Sequence, residues 1–272
     1  MRQISRWAFC GMLVAVLGTG SAAWAQAPGT GTEGPSKAQA ALGRASEAGK
    51  FAFVVFYKDD TPAVRAMAEV IKAGVQKRDD KAVAVFVQAS SSAERALVER
   101  YEVSRSPMPL TLTIAPNGAV TGIFSKEISD EQMDQAIVTP TMTRCMKSLQ
   151  ENRMVFVCVQ TADKAVIPAA VKEMQADPQF KNRVTVVSMQ LRDPNETRFL
   201  SQMQINPQAT TGVTAVLLAP PGVLIGKYDA TATAAQVAAA LHKAGKCCDD
   251  VNCKHNHAPA QQATQPNTSR RK

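Results

Sequence analysis

The sequence predicts an α/β protein made of two tandem copies of one small unit, each a mixed central sheet flanked by helices. Three observations predict it. The chain repeats itself at an offset of about 104 residues. Phe51 to Phe56 (FAFVVF) matches Val155 to Gln160 (VFVCVQ), and Ala115 to Val120 matches Ala219 to Leu224. Gly122 and Phe124 fall on Gly226 and Tyr228, and Gln132 falls on Gln236. A run of matches at one offset marks duplication of a whole folding unit, here the size of a small domain. Within each copy, apolar runs of strand length alternate with stretches of helical period, which implies a parallel crossover. Each copy then ends in two apolar runs around a turn, the pattern of an antiparallel hairpin.

In the first copy, residues 37–49 carry small or apolar residues at Ala38, Ala41, Leu42, Ala45 and Ala48, with Gly49 closing a helix. Phe51 to Tyr57 is apolar almost throughout and rich in β-branched and aromatic residues, as a strand covered on both faces must be. Pro62 opens a helix whose apolar face is Val64, Met67, Ala68, Ile71 and Val75. Val83 to Val87 is a second strand, and residues 90–101 form a helix with Ser92 as its cap and Ala96, Leu97 and Tyr101 on its inner stripe. Pro107-Met108-Pro109 leads into a strand at 110–114. The turn Pro116-Asn117-Gly118 leads into another at 120–124, and Ser129 begins a last helix carrying Met133, Ile137 and Val138. The second copy follows the same order. Its helices are at 143–151, 165–174, 196–203 and 234–245, and its strands at 154–160, 184–189, 213–218 and 223–228.

This order, and the residues within it, resemble the thioredoxin family. The run from Phe53 to Met67 looks like that family's strand, active-site turn and helix. The run from Tyr101 to Pro109, with the strand and Asn-Gly turn after it, looks like the segment holding the family's cis-proline. Counting back from Asn117-Gly118 puts the cis position at Pro109, whereas counting forward from Tyr101 puts it at Pro107. The strand length favours Pro109. The second copy has Thr210-Thr211-Gly212-Val213 there, with no proline at either counted position.

The resemblance implies a fold and not an activity. Thioredoxin-type exchange needs two thiols two residues apart at a helix N-terminus, where the helix field lowers one thiol's pKa. The matching positions are Thr61, Pro62, Ala63 and Val64 in copy one and Ala165, Val166, Ile167 and Pro168 in copy two. Neither turn holds a cysteine, and copy one has none at all. The hydroxyl of Thr61 has no histidine in its own copy to act as base, so it reads as a helix start. The three histidines, His242, His255 and His257, all follow residue 240. The sequence contains neither a phosphate-binding glycine loop nor an HExxH motif. Asp59-Asp60 and Asp79-Asp80 read as solvated carboxylates beside turns.

The chain ends bound where the protein acts. Residues 1–25 read as a signal peptide: Arg2 and Arg6, an apolar run from Ala8 to Gly18, and an A-x-A cleavage site at Ala23-Trp24-Ala25. Cys10 sits inside the apolar run, not at its far end, so a lipoprotein is not read. No later stretch is long enough to span a bilayer, which makes the mature chain an exported protein, periplasmic or secreted. Losing Arg2 and Arg6 leaves 29 basic against 23 acidic residues, a net charge of +6. The basic residues are scattered apart from Arg270-Arg271-Lys272, so nucleic-acid binding is not supported. Residues 26–36 and 258–272 read as a disordered linker and tail. The two domains are then 37–140 and 141–246.

Cysteine usage leaves alternatives open. Cys145, set on the position of Ala41, and Cys158, between valines, read either as buried small apolar residues or as a Cys145–Cys158 disulfide. Cys247, Cys248, Cys253, His255 and His257 place five soft or borderline ligands in eleven residues at 247–257. Thiolate with imidazole suits zinc or cuprous copper. A disulfide of Cys247 or Cys248 with Cys253 is the other reading. Two functions follow. One is a redox-inactive tandem module that binds or scaffolds a protein or peptide partner, similar to the redox-inactive modules of protein disulfide isomerases. The other is metal or thiol redox chemistry carried by the 247–257 cluster.

Overall fold

The computed structural model describes residues 34–125, 127–161 and 166–245. Each repeat is a four-stranded mixed sheet between two layers of helix. In the first, β1 (Phe51–Tyr57) pairs in parallel with β2 (Ala82–Gln88) and antiparallel with β3 (Leu110–Ile114), which pairs antiparallel with β4 (Val120–Phe124), in the order β2-β1-β3-β4. Helices α1 (Lys37–Glu47) and α3 (Arg95–Arg100) cover one face; α2 (Pro62–Gln76) and α4 (Asp130–Ala136) cover the other. The second repeat has α5 (Pro140–Gln150), β5 (Met154–Gln160), α6 (Ala169–Ala176), β6 (Val184–Gln190), α7 (Thr197–Gln202), β7 (Val213–Ala219), β8 (Val223–Tyr228) and α8 (Ala234–Gly245), in the order β6-β5-β7-β8. Strand order, strand directions and helix placement make both repeats thioredoxin-like and the chain an α/β protein.

The central strands are apolar because both their faces are covered. Phe53 and Val55 point to Met67, Ile71 and Met133, while Ala52, Val54 and Phe56 point to Ala38, Ala45 and Leu97. In the second repeat, Phe156 and Cys158 face Ala170, Val171, Met174 and Val237. Val155, Val157 and Val159 face Cys145, Leu149, Phe199 and Leu200.

This pairing corrects the sequence offset at the central strand. Ala52 lies opposite Ile114 and Val155 opposite Leu218, so Val155 is the equivalent of Ala52 and not of Phe51. The offset is one residue shorter there than at the hairpin. The matched letters Phe51 and Val155 conceal a slip that would turn every side chain to the other face. By the same shift Cys145 stands at the position of Leu42, not of Ala41.

Matches at the hairpin and last helix have physical causes. Both hairpins carry an irregularity at equivalent positions close to the turn, at Thr113/Ile114 and at Leu217/Leu218. A Cβ on Gly122 would stand 2.6 Å from the ring of Phe124, and one on Gly226 2.6 Å from the hydroxyl of Tyr228, so an aromatic two residues on lies over a glycine in each copy. Gln132 and Gln236 each complete a reciprocal cap. Ser129 Oγ accepts from the Gln132 amide and Gln132 Oε1 from the Ser129 amide, and Thr233 and Gln236 repeat the pair.

One further repeat is hidden in the sequence. The hydroxyl of the α1 cap, Ser36, donates to Glu94 Oε2 at 2.6 Å, and that of the α5 cap, Thr139, donates to Glu196 Oε2 at 2.9 Å. The same hydroxyls accept from Gln39 N and Met142 N. Each bond ties the start of one helix to the turn that opens the next helix on the same face.

Several boundaries differ from the sequence reading. Ser36 belongs to the fold as a buried cap, not to a linker. The 90–101 helix is a 3-10 turn at Ser92–Glu94 followed by α3, and Ser92 is no cap. Helix α4 ends at Ala136, which leaves Ile137 and Val138 in the connection, packed against Phe51, Ala115 and Ala119. Helix α5 begins at Pro140 behind Thr139, three residues early, and α6 begins at Ala169 behind Pro168, four residues late. Ala165, the expected signal peptide at 1–25, the linker up to residue 33, the Cys/His cluster at 247–257 and the tail at 258–272 lie outside the described residues.

Helix α5 seats the second repeat on the first. Met146 joins the Phe51, Ala115 and Ala119 cluster. Gln150 pairs at two points with the backbone of Val120, accepting from its N at 2.9 Å and donating to its O at 2.7 Å. A side-chain amide thus occupies part of the open edge of β4. Asn117 Nδ2 donates to Thr143 O at 2.9 Å, and Arg198 donates to Gln135 O at the end of α4.

Glu196 is 4% exposed, so Thr139→Val removes a helix cap and strips a buried carboxyl of a partner. Urea unfolding is expected to show a loss of about 2–4 kcal/mol, larger than for Ser36→Ala, because Glu94 is half-exposed.

Candidate functional site

The turn between β1 and α2 and the entry to β3 meet as the resemblance implies. Thr61 is extended and caps α2, its Oγ1 accepting from Val64 N at 3.3 Å, and Pro62 takes the first helical position. The peptide bond Met108–Pro109 is cis. Pro107 carries no cis bond. The other cis bond among the described residues, Pro220–Pro221, lies in the β7–β8 turn, where the sequence reading had only a turn. The second repeat enters β7 through Gly212, in left-handed backbone at φ 72.

Two recesses flank this junction. The larger, about 700 Å³, runs along α2 and is lined by Ala63, Ala66, Met67, Val70, Pro109 and Ile128, with Ser125 and Glu127 as its polar members. Val70 is 43% exposed in it. The smaller, about 310 Å³, has Lys58, Asp59 and Thr61 on one side and Ser106, Pro107 and Met108 on the other. The first turn of α2 separates them, with Ala63 on the apolar side and Val64 on the polar side.

The chemistry at the turn is spare. Thr61 Oγ1 is engaged as a cap, and Asp60 pairs with Arg65 at 2.9 Å on the surface. Asp79 and Asp80 are exposed, and Asp80 stands 4.0 Å from Lys81. Among the described residues no three His, Cys, Asp or Glu side chains are grouped as a metal would need. His242, the one described histidine, is exposed on α8, far along the chain from Thr61. The candidates Cys247, Cys248, Cys253, His255 and His257 lie outside the described residues.

At its base, α2 is fastened to α4 by Arg78. The buried guanidinium donates to Asp134 Oδ1 at 2.6 Å, Asp130 Oδ1 at 3.3 Å and the carbonyls of Gly74 and Asp130. The hydrogen bond from Arg78 holds the Asp134 carboxyl below the usual carboxylate range; those from Lys77 and then Arg78 do the same for Asp130. Pairing also raises Arg78 itself, chiefly through Asp134. Sequence reading missed this network because its members are more than 50 residues apart and each looks like an ordinary surface charge.

Cys145 and Cys158 are free and buried on opposite faces of the second sheet. That placement overturns the disulfide alternative, since pairing them would require crossing β5. Burial pushes the Cys145 thiol up to about 12 and that of Cys158 up to about 11. A nucleophilic cysteine requires a lowered value. Alkylation of the native chain at pH 8 is therefore expected to spare Cys145 and Cys158, both reacting only in urea. Peptide mapping by mass spectrometry reads the difference.

No family model matches the chain. No curated protein matches it by sequence. Among the described residues, no helix is long and apolar enough to cross a membrane. Solved structures similar to it include the first two thioredoxin domains of Eps1p from Naumovozyma dairenensis, at 9% identity and TM-score 0.26, covering 71% of this chain and 90% of that one. The zinc-bound form of human ERp44 follows at 12% and 0.32, covering 69% of this chain; the chain spans about half of that protein, 53%. The NTD_N/C domain of the alkylhydroperoxide reductase AhpF from Enterococcus faecalis is similar at 12% and 0.29, covering 74% of this chain and 98% of that one. Likeness of this degree says nothing of function, and the fold stands on its own strand order and directions.

Proposed function

We propose that the chain is an exported, redox-inactive binding module, whose first repeat holds an extended apolar segment of a protein partner in the groove between α2 and Pro109. One observation carries the reading: an open, largely apolar groove stands beside a turn that holds no thiol and whose one hydroxyl, Thr61, caps α2. Burying Val70, Ala66 and Pro109 under a partner supplies the driving force, at about 25 cal/mol per Å² of apolar area removed from water. Binding is noncovalent, because the turn offers no thiolate to form a mixed disulfide.

The test titrates the full chain with an extended peptide of alternating valine and serine, followed by the amide shifts of α2 and of residues 108–112. Saturable shifts confined there, lost in Val70→Glu with the fold intact by circular dichroism, are expected, and insulin reduction should stay at the uncatalysed rate. Shifts that persist in Val70→Glu, or thiol-dependent turnover, overturn the reading.

A second reading rests on the sequence of residues 247–257, where Cys247, Cys248, Cys253, His255 and His257 form a zinc or cuprous copper site. Metal analysis of the purified chain is expected to find about one ion, with affinity falling as pH drops through the imidazole range near ~6.5, since binding needs neutral imidazole and thiolate. No metal after gentle reduction leaves the cluster as a disulfide staple.

A further inference from the structure

We propose that a separate recess on the first repeat, between α1, the end of α3 and the β3–β4 turn, binds a small organic carboxylate. The recess encloses about 340 Å³ and lies on the face of the first sheet opposite the α2 groove. Its floor is apolar, formed by buried Ala45, Ala52, Leu97 and Ile114. Two cations line it, Arg100 and Lys50, and no aspartate or glutamate does. The guanidinium of Arg100 makes no hydrogen bond or ion pair among the described residues. It lies 5.4 Å from the centroid of the Tyr101 ring. The ammonium of Lys50 donates to the Asp79 carbonyl. A methyl placed on Gly118, at the rim, would stand 3.5 Å from an Arg100 nitrogen and 4.0 Å from the Lys147 ammonium, which is itself paired with Glu151 at 3.2 Å.

The fold does not require this arginine. The last residue of α7, equivalent to Arg100, is Gln202, and Pro221 stands where the first repeat has Asn117. A cation at the end of a six-residue helix gains little from the helix field alone. A planar fork with unspent donors above an apolar floor matches a carboxylate on a short hydrocarbon body.

Phosphate suits the recess less well. Phosphate sites draw on free backbone N–H groups. Two of those in the turn are committed, Gly118 N to Ala115 O at 2.8 Å and Ala119 N to Asn117 Oδ1 at 3.1 Å, which leaves no cradle of several free N–H groups.

Hexanoate titrated into the full chain at low ionic strength, read by amide shifts, tests the assignment. Saturable shifts at Ser46, Asn117 and Gly118 are expected, weakened at least about tenfold in Arg100→Gln and unchanged in Arg65→Gln on distant α2. Inorganic phosphate and hexanol form the other arms. Non-saturating shifts, shifts equal in Arg100→Gln, or a response to phosphate or hexanol matching that to hexanoate would each overturn the proposal. The outcome is independent of the α2 groove, which the peptide titration reads separately.

Discussion

Two-sided burial of one strand in each repeat is the constraint on which the rest of the structure depends. Phe53 to Phe56 and Val155 to Val159 are fully inaccessible. A strand with no solvent face must have partners on both edges and a helical layer on both faces, so each β1-like strand fixes a parallel neighbour, an antiparallel neighbour and four helices around it. It also fixes register. Moving β5 by one residue would drive Phe156 toward α5 and Val157 toward α6, and neither layer has room for the exchange. The outer strands are freer, and there the chain manages its edges with side chains, as Gln150 does along β4.

Comparing the repeats separates what maintains the fold from what differs between them. Shared features are terminations and braces: the hydroxyl caps that reach Glu94 and Glu196, the two reciprocal caps at Gln132 and Gln236, and the aromatic-over-glycine hairpins. Features present once cluster elsewhere. Among the described residues, the cis bond at the strand entry, the Arg78 network and the Arg100 recess occur in the first repeat, whereas the second repeat keeps the same helices and strands with Val213 at the place of Pro109 and Gln202 at that of Arg100. Backbone architecture thus tolerates replacement of the proline and of the arginine at these two positions.

Much of this was legible in the sequence, and the misses share one cause. The apolar run 51–57, Thr61 before Pro62, the Asn-Gly hairpin and the two-strand spacing after Tyr101 are local signals, and local structure follows them. What eluded the sequence lies in long-range pairs. The Thr139–Glu196 brace spans 57 residues and the Arg78–Asp134 bond 56, and each partner alone reads as a cap or a solvated charge. The matched letters at Phe51 and Val155 misplaced the register because two strands of similar apolar residues align equally well when slid by one. Only the cross-strand partners Ile114 and Leu218 resolve it. Ser36 went unread because a segment rich in Gly, Pro and Ser hides a single residue that the fold uses.

The two repeats differ in which side chains the shared architecture leaves exposed. Both buried thiols are on opposite sides of β5, where neither meets the other or solvent. The first repeat carries an apolar groove on the α2 side and a cationic recess on the α1 side. The second repeat acts on the recess through the hairpin. Its α5 takes a hydrogen bond from Asn117 at Thr143 and packs Met146 against Ala115 and Ala119. The turn that forms one wall of the recess is therefore held in place by the neighbouring repeat as well as by its own Gly118 backbone. Duplication supplies a rigid support for that wall, which a single copy of the unit would leave as an exposed loop tip.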